Sequence, residues 1–148
     1  MRMIIAALDF SDANAPVIKA TTKLAKALDE SVHLVHVIEP EPTYAAYGLT
    51  PDEFPIAQEI HEETRHRSKQ KLTKIAAQME LANVKIKVLH GQPLNAILDY
   101  AHKSDADMLV LGSHGHGFLS SLLLGSVAEG CVRKSKIPFL IVPVKRDT

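Results

Sequence analysis

The sequence predicts an α/β fold, a doubly wound parallel sheet of five strands with helices on both faces. Three observations predict it. Short apolar runs of strand length alternate with longer segments of helical period, in a count of five strands to four helices. The first run, residues 3–8 (MIIAAL), is apolar throughout, as suits a strand buried on both faces of a parallel sheet. A further run at 108–111 feeds a glycine-rich stretch and then an amphipathic segment, the order in which such sheets build their functional loops.

Each element has its own signal. After residues 3–8 comes the polar turn Asp9-Phe10-Ser11-Asp12, and Asn14 with Pro16 marks a helix start, proline being tolerated in the first turn. Val17, Thr21, Leu24 and Leu28 recur at helical spacing and predict one buried stripe. Residues 32–38 (VHLVHVI) give the second strand, with His33 and His36 on opposite faces and so not a ligand pair. Residues 39–55, with four prolines and Gly48, read as a long loop, whose Tyr44 and Tyr47 either cover a ligand or tack the loop to the core. A long helix is expected over 56–81: Ile56 and Ile60 open its apolar stripe, and Leu72, Ile75, Ala76 and Met79 close it. Its middle is a solvated face with pairs such as Glu63 and Arg67. In the third strand, 84–89, Val84, Ile86 and Val88 alternate with Lys85 and Lys87, as at a half-exposed sheet edge. His90 ends that strand, and Gly91 to Pro93 turn the chain. Leu94, Ile97, Leu98 and Ala101 mark a third helix ending near Ser104. The fourth strand is 108–111, the fourth helix runs to about Lys134, and residues 137–144 (IPFLIVPV) form the last strand.

Composition narrows the function. The 148 residues, 46% hydrophobic, suit one compact domain, 1–148, with a sizeable core. Seventeen basic and seventeen acidic side chains cancel without any like-charge block, which argues against a polyanion binder or a basic membrane anchor, so neither nucleic acid nor membrane is an expected partner. The single cysteine, Cys131, sits among apolar neighbours and reads as a buried structural thiol. The opening apolar run is too short for a signal region or a span, and a cytoplasmic location is expected.

Function is sought in residues 112–126, GSHGHGFLSSLLLGS. Gly112 and Gly117 have P-loop spacing, but Phe118 and Leu119 stand where Lys and Ser/Thr should, and a GxGxxG reading fails at Ser120. What remains is G-x2-G-x9-G-S on Gly112, Gly115, Gly125 and Ser126. Glycines allow close backbone approach, and the free N–H groups of a helix start attract phosphate, so the combination favours a nucleotide phosphate chain. Ser126 and Glu129 also have capping-box spacing, which would give Ser126 a purely structural role. Between Gly112 and Val132 there is no Lys or Arg, whereas phosphoanhydride cleavage needs cations where charge develops, so binding is expected to outrun catalysis. His114 and His116 raise a metal reading that lacks a nearby third ligand. If strands one to three wind one way and four and five the other, the glycine loop and the Asp9 turn face one crevice. There Asp9 would either accept a hydrogen bond from a ligand or serve its own turn beside Ser11.

These residues resemble the universal stress protein family, ATP-binding branch, over essentially the whole chain. The likeness rests on AALDFS at 6–11, LVHVIEP at 34–40, HGQP at 90–93 and LGSHGHGFLSSLLLGSVAE at 111–129. It implies a Rossmann-like sheet in the order 3-2-1-4-5, ATP in the crevice with magnesium or manganese, and a homodimer through the last strand, Phe139 to Val144. By position, Asp9 and the backbone of Val37 would hold adenine and ribose, with Ala7 and Leu8 lining that side. Gly112, His114, Gly115, Gly125, Ser126 and Val127 would wrap ribose and phosphates. His116 stands where many members carry Arg or Lys, and would serve the terminal phosphate only while protonated. The implied function is a nucleotide-dependent stress-response module acting through another protein. A slow ATPase or nucleotidyl-transfer enzyme and a structural dimer with an empty crevice are the alternatives.

Overall fold

The computed structural model describes residues 2–11, 14–40, 55–114 and 124–144. Strands β1 (Met3–Ala7), β2 (Ser31–Ile38), β3 (Val84–His90), β4 (Met108–Gly112) and β5 (Phe139–Val142) alternate with helices α1 (Asn14–Leu28), α2 (Pro55–Gln78), α3 (Pro93–Lys103) and α4 (Ser126–Lys134). All described pairings are parallel, in the order β3-β2-β1-β4-β5, as the resemblance implied.

β1 lies at the centre, and Ile4, Ile5 and Ala6 are fully buried. Alternation then divides the core in two. Ile5, Val35, Leu109 and Leu111 meet Leu94, Ile97, Leu98 and Ala101 of α3 and Ala128 and Cys131 of α4. Ile4, Ala6, Val32, Leu34 and Val110 meet Val17 and Ala25 of α1 and Leu72 of α2. α3 and α4 pack so closely that a Cβ on Gly130 would fall 2.2 Å from Leu94 Cδ2. Burial pushes the Cys131 thiol up to about 11, as a structural cysteine requires.

The predicted stops of α1, at the Asp29 break, and of α3, near Ser104, hold, while other predicted features move for identifiable reasons. The α1 stripe runs through Val17, Thr21 and Ala25, and Leu28 is 42% exposed, because the helix stops there. Asp29, at φ 55°, turns the chain, and the Glu30 N–H returns to the Ala25 carbonyl in a Schellman arrangement. Asp105 at φ 53° and the Ala106-to-Ala101 bond end α3 the same way. Leu72 of α2 and Met79, just past its end, are buried as expected, but Ile60 is 47% exposed. The expected Glu63–Arg67 pair forms at 2.7 Å. β3 shows the half-exposed alternation that its lysines predict. β5 is shorter than predicted, spanning only Phe139–Val142. Prolines bracket it, and proline has no N–H to give a ladder. The loop read at 39–55, with Tyr44 and Tyr47, lies largely outside the described residues. No described helix is long and apolar enough to cross a membrane.

His33 and His36 do project from opposite faces of β2. His33 Nδ1 lies 2.9 Å from the Tyr100 hydroxyl, while His36 stacks on Phe10. Burial, and then the charge of Lys85, lower the His33 pKa below 6.5. A histidine depressed in the fold binds its proton more readily when unfolded, so its contribution to stability is present above the unfolded pKa and falls away as pH drops through it. Urea midpoints are therefore expected to fall from pH 7.5 to pH 5, and less steeply in His33→Gln; equal slopes in the two proteins would remove His33 as a contributor.

Candidate functional site

Winding reverses between β1 and β4, which opens a crevice at the carboxyl ends of these central strands. β1 delivers Ala7, Leu8 and Asp9 to its edge. Leu8 is buried, and its N–H donates to the Val35 carbonyl at 2.8 Å. Asp9 forms an Asx turn: its Oδ1 accepts the Ser11 N–H at 3.0 Å and the Ser11 hydroxyl, while its own N–H donates to Asn14 Oδ1 at 3.2 Å. The turn role weighed for Asp9 is thus present. Phe10 follows at φ 61°, a left-handed conformation unusual for a bulky residue. Its ring stacks on His36 with centroids 4.0 Å apart, and Lys71 Nζ lies 5.0 Å from its centroid.

Val37 belongs to the same edge. The Ile38 carbonyl accepts the Gly91 N–H, which turns even-numbered residues of β2 toward β3, and Val35 is turned toward β1. Main-chain groups of successive strand residues point to opposite sides. Val37 therefore faces the β1 side, past the last paired residues, Ala7 and Val35.

On the other side, β4 ends at Gly112. A Cβ there would lie 3.2 Å from both the His114 carbonyl oxygen and Val144 Cγ2, so only glycine fits without displacement. Ser113, 8% exposed, ties the site together. Its N–H donates to the Val142 carbonyl at 2.9 Å, its carbonyl accepts the Gly125 N–H at 2.7 Å, and its Oγ accepts the Val144 N–H at 3.0 Å and meets His114 Nδ1 at 3.0 Å. One residue thus joins the exit of β4, the exit of β5 and the entry of α4. Gly115 and His116 lie outside the described residues.

The start of α4 corrects the capping-box expectation. The N-cap is Gly125, which has no side chain with which to cap the helix, and Ser126 is its first helical residue. Glu129 turns instead to Arg133, at 2.8 Å. The first-turn N–H groups of Ser126, Val127 and Ala128 precede the first intrahelical bond, from the Glu129 N–H to the Gly125 carbonyl at 2.9 Å. Ser126 is exposed, and Val127 is half-buried against the core. A helix start with glycine at its N-cap, beside a strand end, suits an anion.

The opposite end of the sheet does not. A cleft of about 390 Å³ there is lined by Asp29, Glu30 and Glu80 against Lys26, a charge balance that disfavours phosphate. His90, at the end of β3, stands with its ring 4.8 Å from that of His61. Its pKa is lowered by burial first and by His61 and Arg65 next, against Glu62, which raises it. Among the described residues no three of His, Cys, Asp and Glu gather as a metal site. Phe10, Asn14, His36 and Ser113 were not foreseen as parts of the site, although a histidine within the apolar run of β2 was a visible anomaly.

Fold and site define a doubly wound α/β protein with its functional groups at the switch point of the sheet. The universal stress protein family model matches residues 1–143, and the chain belongs to that family. Universal stress protein MJ0531 of Methanocaldococcus jannaschii is 29% identical over 142 residues, 95% of this chain and 81% of that protein. The solved structure of MJ0577 from the same organism has a TM-score of 0.80 at 27% identity, covering 99% of this chain and 98% of that one. A universal stress protein from Archaeoglobus fulgidus, solved in complex with dAMP, has a TM-score of 0.62 at 23% identity, with coverage of 96% and 97%.

The Ser113 tie sets a testable cost. Ser113→Ala removes the acceptor of a part-buried N–H and should lower unfolding free energy by ~1–2 kcal/mol in urea titrations. An unchanged midpoint would show that Ser113 Oγ does not carry the junction.

Proposed function

We propose that this chain is an ATP-binding regulatory module of the stress response, acting as a homodimer on another protein in the cytoplasm. The observation that carries the reading is the start of α4, with glycine at its N-cap, held at the end of β4 by the bond between Ser113 and Gly125. The N–H groups of Ser126 and Val127 would take phosphate oxygens, Gly112 and Gly115 would allow close approach, and His114 and His116 would complete the phosphate side. Asp9, with Ala7 and Leu8 behind it, would face ribose and base. Magnesium or manganese would be held by the phosphates themselves.

Val37 supports adenine in particular. Its N–H and carbonyl lie on one side of an extended chain, as a donor beside an acceptor, which matches the N1 acceptor and N6 donor of adenine. Guanine offers the reverse order and would set donor against donor. The dAMP bound by the Archaeoglobus fulgidus relative agrees with an adenine nucleotide. Turnover is not part of the proposal, because no Lys or Arg lies between Gly112 and Val132 to meet charge developing in a transition state.

Calorimetry on purified protein should show ATP binding, GTP at least about tenfold weaker, as one mismatched buried hydrogen bond dictates, and loss of both in Gly115→Val. If His116 reaches the terminal phosphate, ATP affinity should fall between pH 6 and pH 8.5 as the imidazolium deprotonates. Equal affinity for ATP and GTP would overturn the adenine site, and a flat pH response would remove His116.

The dimer would form through β5, the sheet edge at which Leu140 is 39% exposed. Sedimentation at micromolar concentration should give twice the chain mass; a monomer would refute it.

A further inference from the structure

On the β2 side of the crevice the β1–β2 ladder stops one rung short, and a side chain stands where that rung would be. In a parallel pair, hydrogen bonds alternate evenly along the strands. The Leu8 N–H donates to the Val35 carbonyl, so the next rung would run from the Val37 N–H to the Leu8 carbonyl. The pairing stops short of it, at Ala7 and Val35. The Leu8 carbonyl is engaged instead by His36 Nδ1 at 2.8 Å. A carbonyl only accepts, so Nδ1 carries the proton in this contact.

We infer that His36 is a positioning residue for the nucleobase: by drawing the Leu8 carbonyl toward its own Nδ1 and away from the Val37 N–H, it ends the β1–β2 ladder one rung early and leaves the Val37 main chain for the ligand. This rests on the adenine reading above. Two further contacts hold the ring in place. Phe10 stacks on it at 4.0 Å and 27° between ring planes, and Lys71 Nζ lies 5.0 Å from the Phe10 centroid, linking the stack to α2. The left-handed conformation of Phe10, at φ 61°, is what carries its ring there, immediately after Asp9. His36 thereby sets two things at once. It frees the main chain that reads the base, and through Phe10 it holds the turn that presents Asp9.

Amide hydrogen exchange on the nucleotide-free full chain tests this without any ligand. The Val37 amide should exchange at least about tenfold faster than that of the paired Val35, as one ladder hydrogen bond dictates, and should become protected when ATP is added. His36→Phe keeps an aromatic ring for Phe10 but offers no donor, so the rung should close: Val37 becomes protected in the free protein, and ATP affinity falls about tenfold. His36→Asn, whose amide places a donor near the Nδ1 position, should restore fast exchange at Val37 and recover affinity. A Val37 amide as protected as Val35 in the unmodified protein would overturn the inference, and that measurement stands even if His36→Phe does not fold. So would unchanged Val37 exchange in a folded His36→Phe. If the unmodified protein shows the fast Val37 amide but binds no ATP, the rung assignment stands and the nucleotide reading falls.

Discussion

Burial of β1 on both faces and pairing on both of its edges is the constraint from which the rest of the molecule follows. Ile4, Ile5 and Ala6 have no exposure at all, with α1 and α2 on one side of the sheet and α3 and α4 on the other. The two isoleucines contribute roughly 1.5–3 kcal/mol each when fully buried. Such a strand sits at the centre, so the chain must wind away from it in both directions. The reversal then falls between β1 and β4, and loops leaving those strands diverge to opposite faces.

What fills the divergence is main-chain polarity that the sheet itself does not consume. Parallel strands satisfy their interior N–H and carbonyl groups along the ladder, but the final residues and the first turn of the following helix lie beyond it. At β4 the surplus is organised by Ser113, whose backbone and hydroxyl join three segments and hold Gly125, with no side chain of its own, at the N-cap of α4. On the β1 side the surplus is shaped by the Asx turn of Asp9 and by the His36 contact with Leu8. The two sides are alike in design: a short polar side chain or imidazole replaces a rung, and a neighbouring amide is left over.

The order and type of the described elements were legible because parallel α/β patterning is redundant. The central strand is apolar throughout, the edge strand β3 alternates with lysine, and the helices carry apolar stripes. The stops of α1 and α3 were legible as a polar break at Asp29 and an end near Ser104, but the left-handed turn that makes each stop, at Asp29 and Asp105, is one usually given to glycine, and nothing in their identity announces it. The exposure of Leu28 follows from one such stop. In the site, the glycine spacing marked the right loop, yet the capping-box pattern at Ser126 and Glu129 misled: Gly125 is the cap position and Glu129 prefers the longer reach to Arg133. Ser113 and His36 act through contacts between residues far apart in the chain, and one sequence holds no trace of such pairings.

The setting of Cys131 has a consequence for a protein of this family. With its thiol buried beneath α3 and raised to about 11, almost none of it is thiolate at neutral pH, and thiolate is the form that peroxides and electrophiles attack. It is the chain's sole cysteine. Sulfur oxidation at this position is thus disfavoured as long as the molecule stays folded.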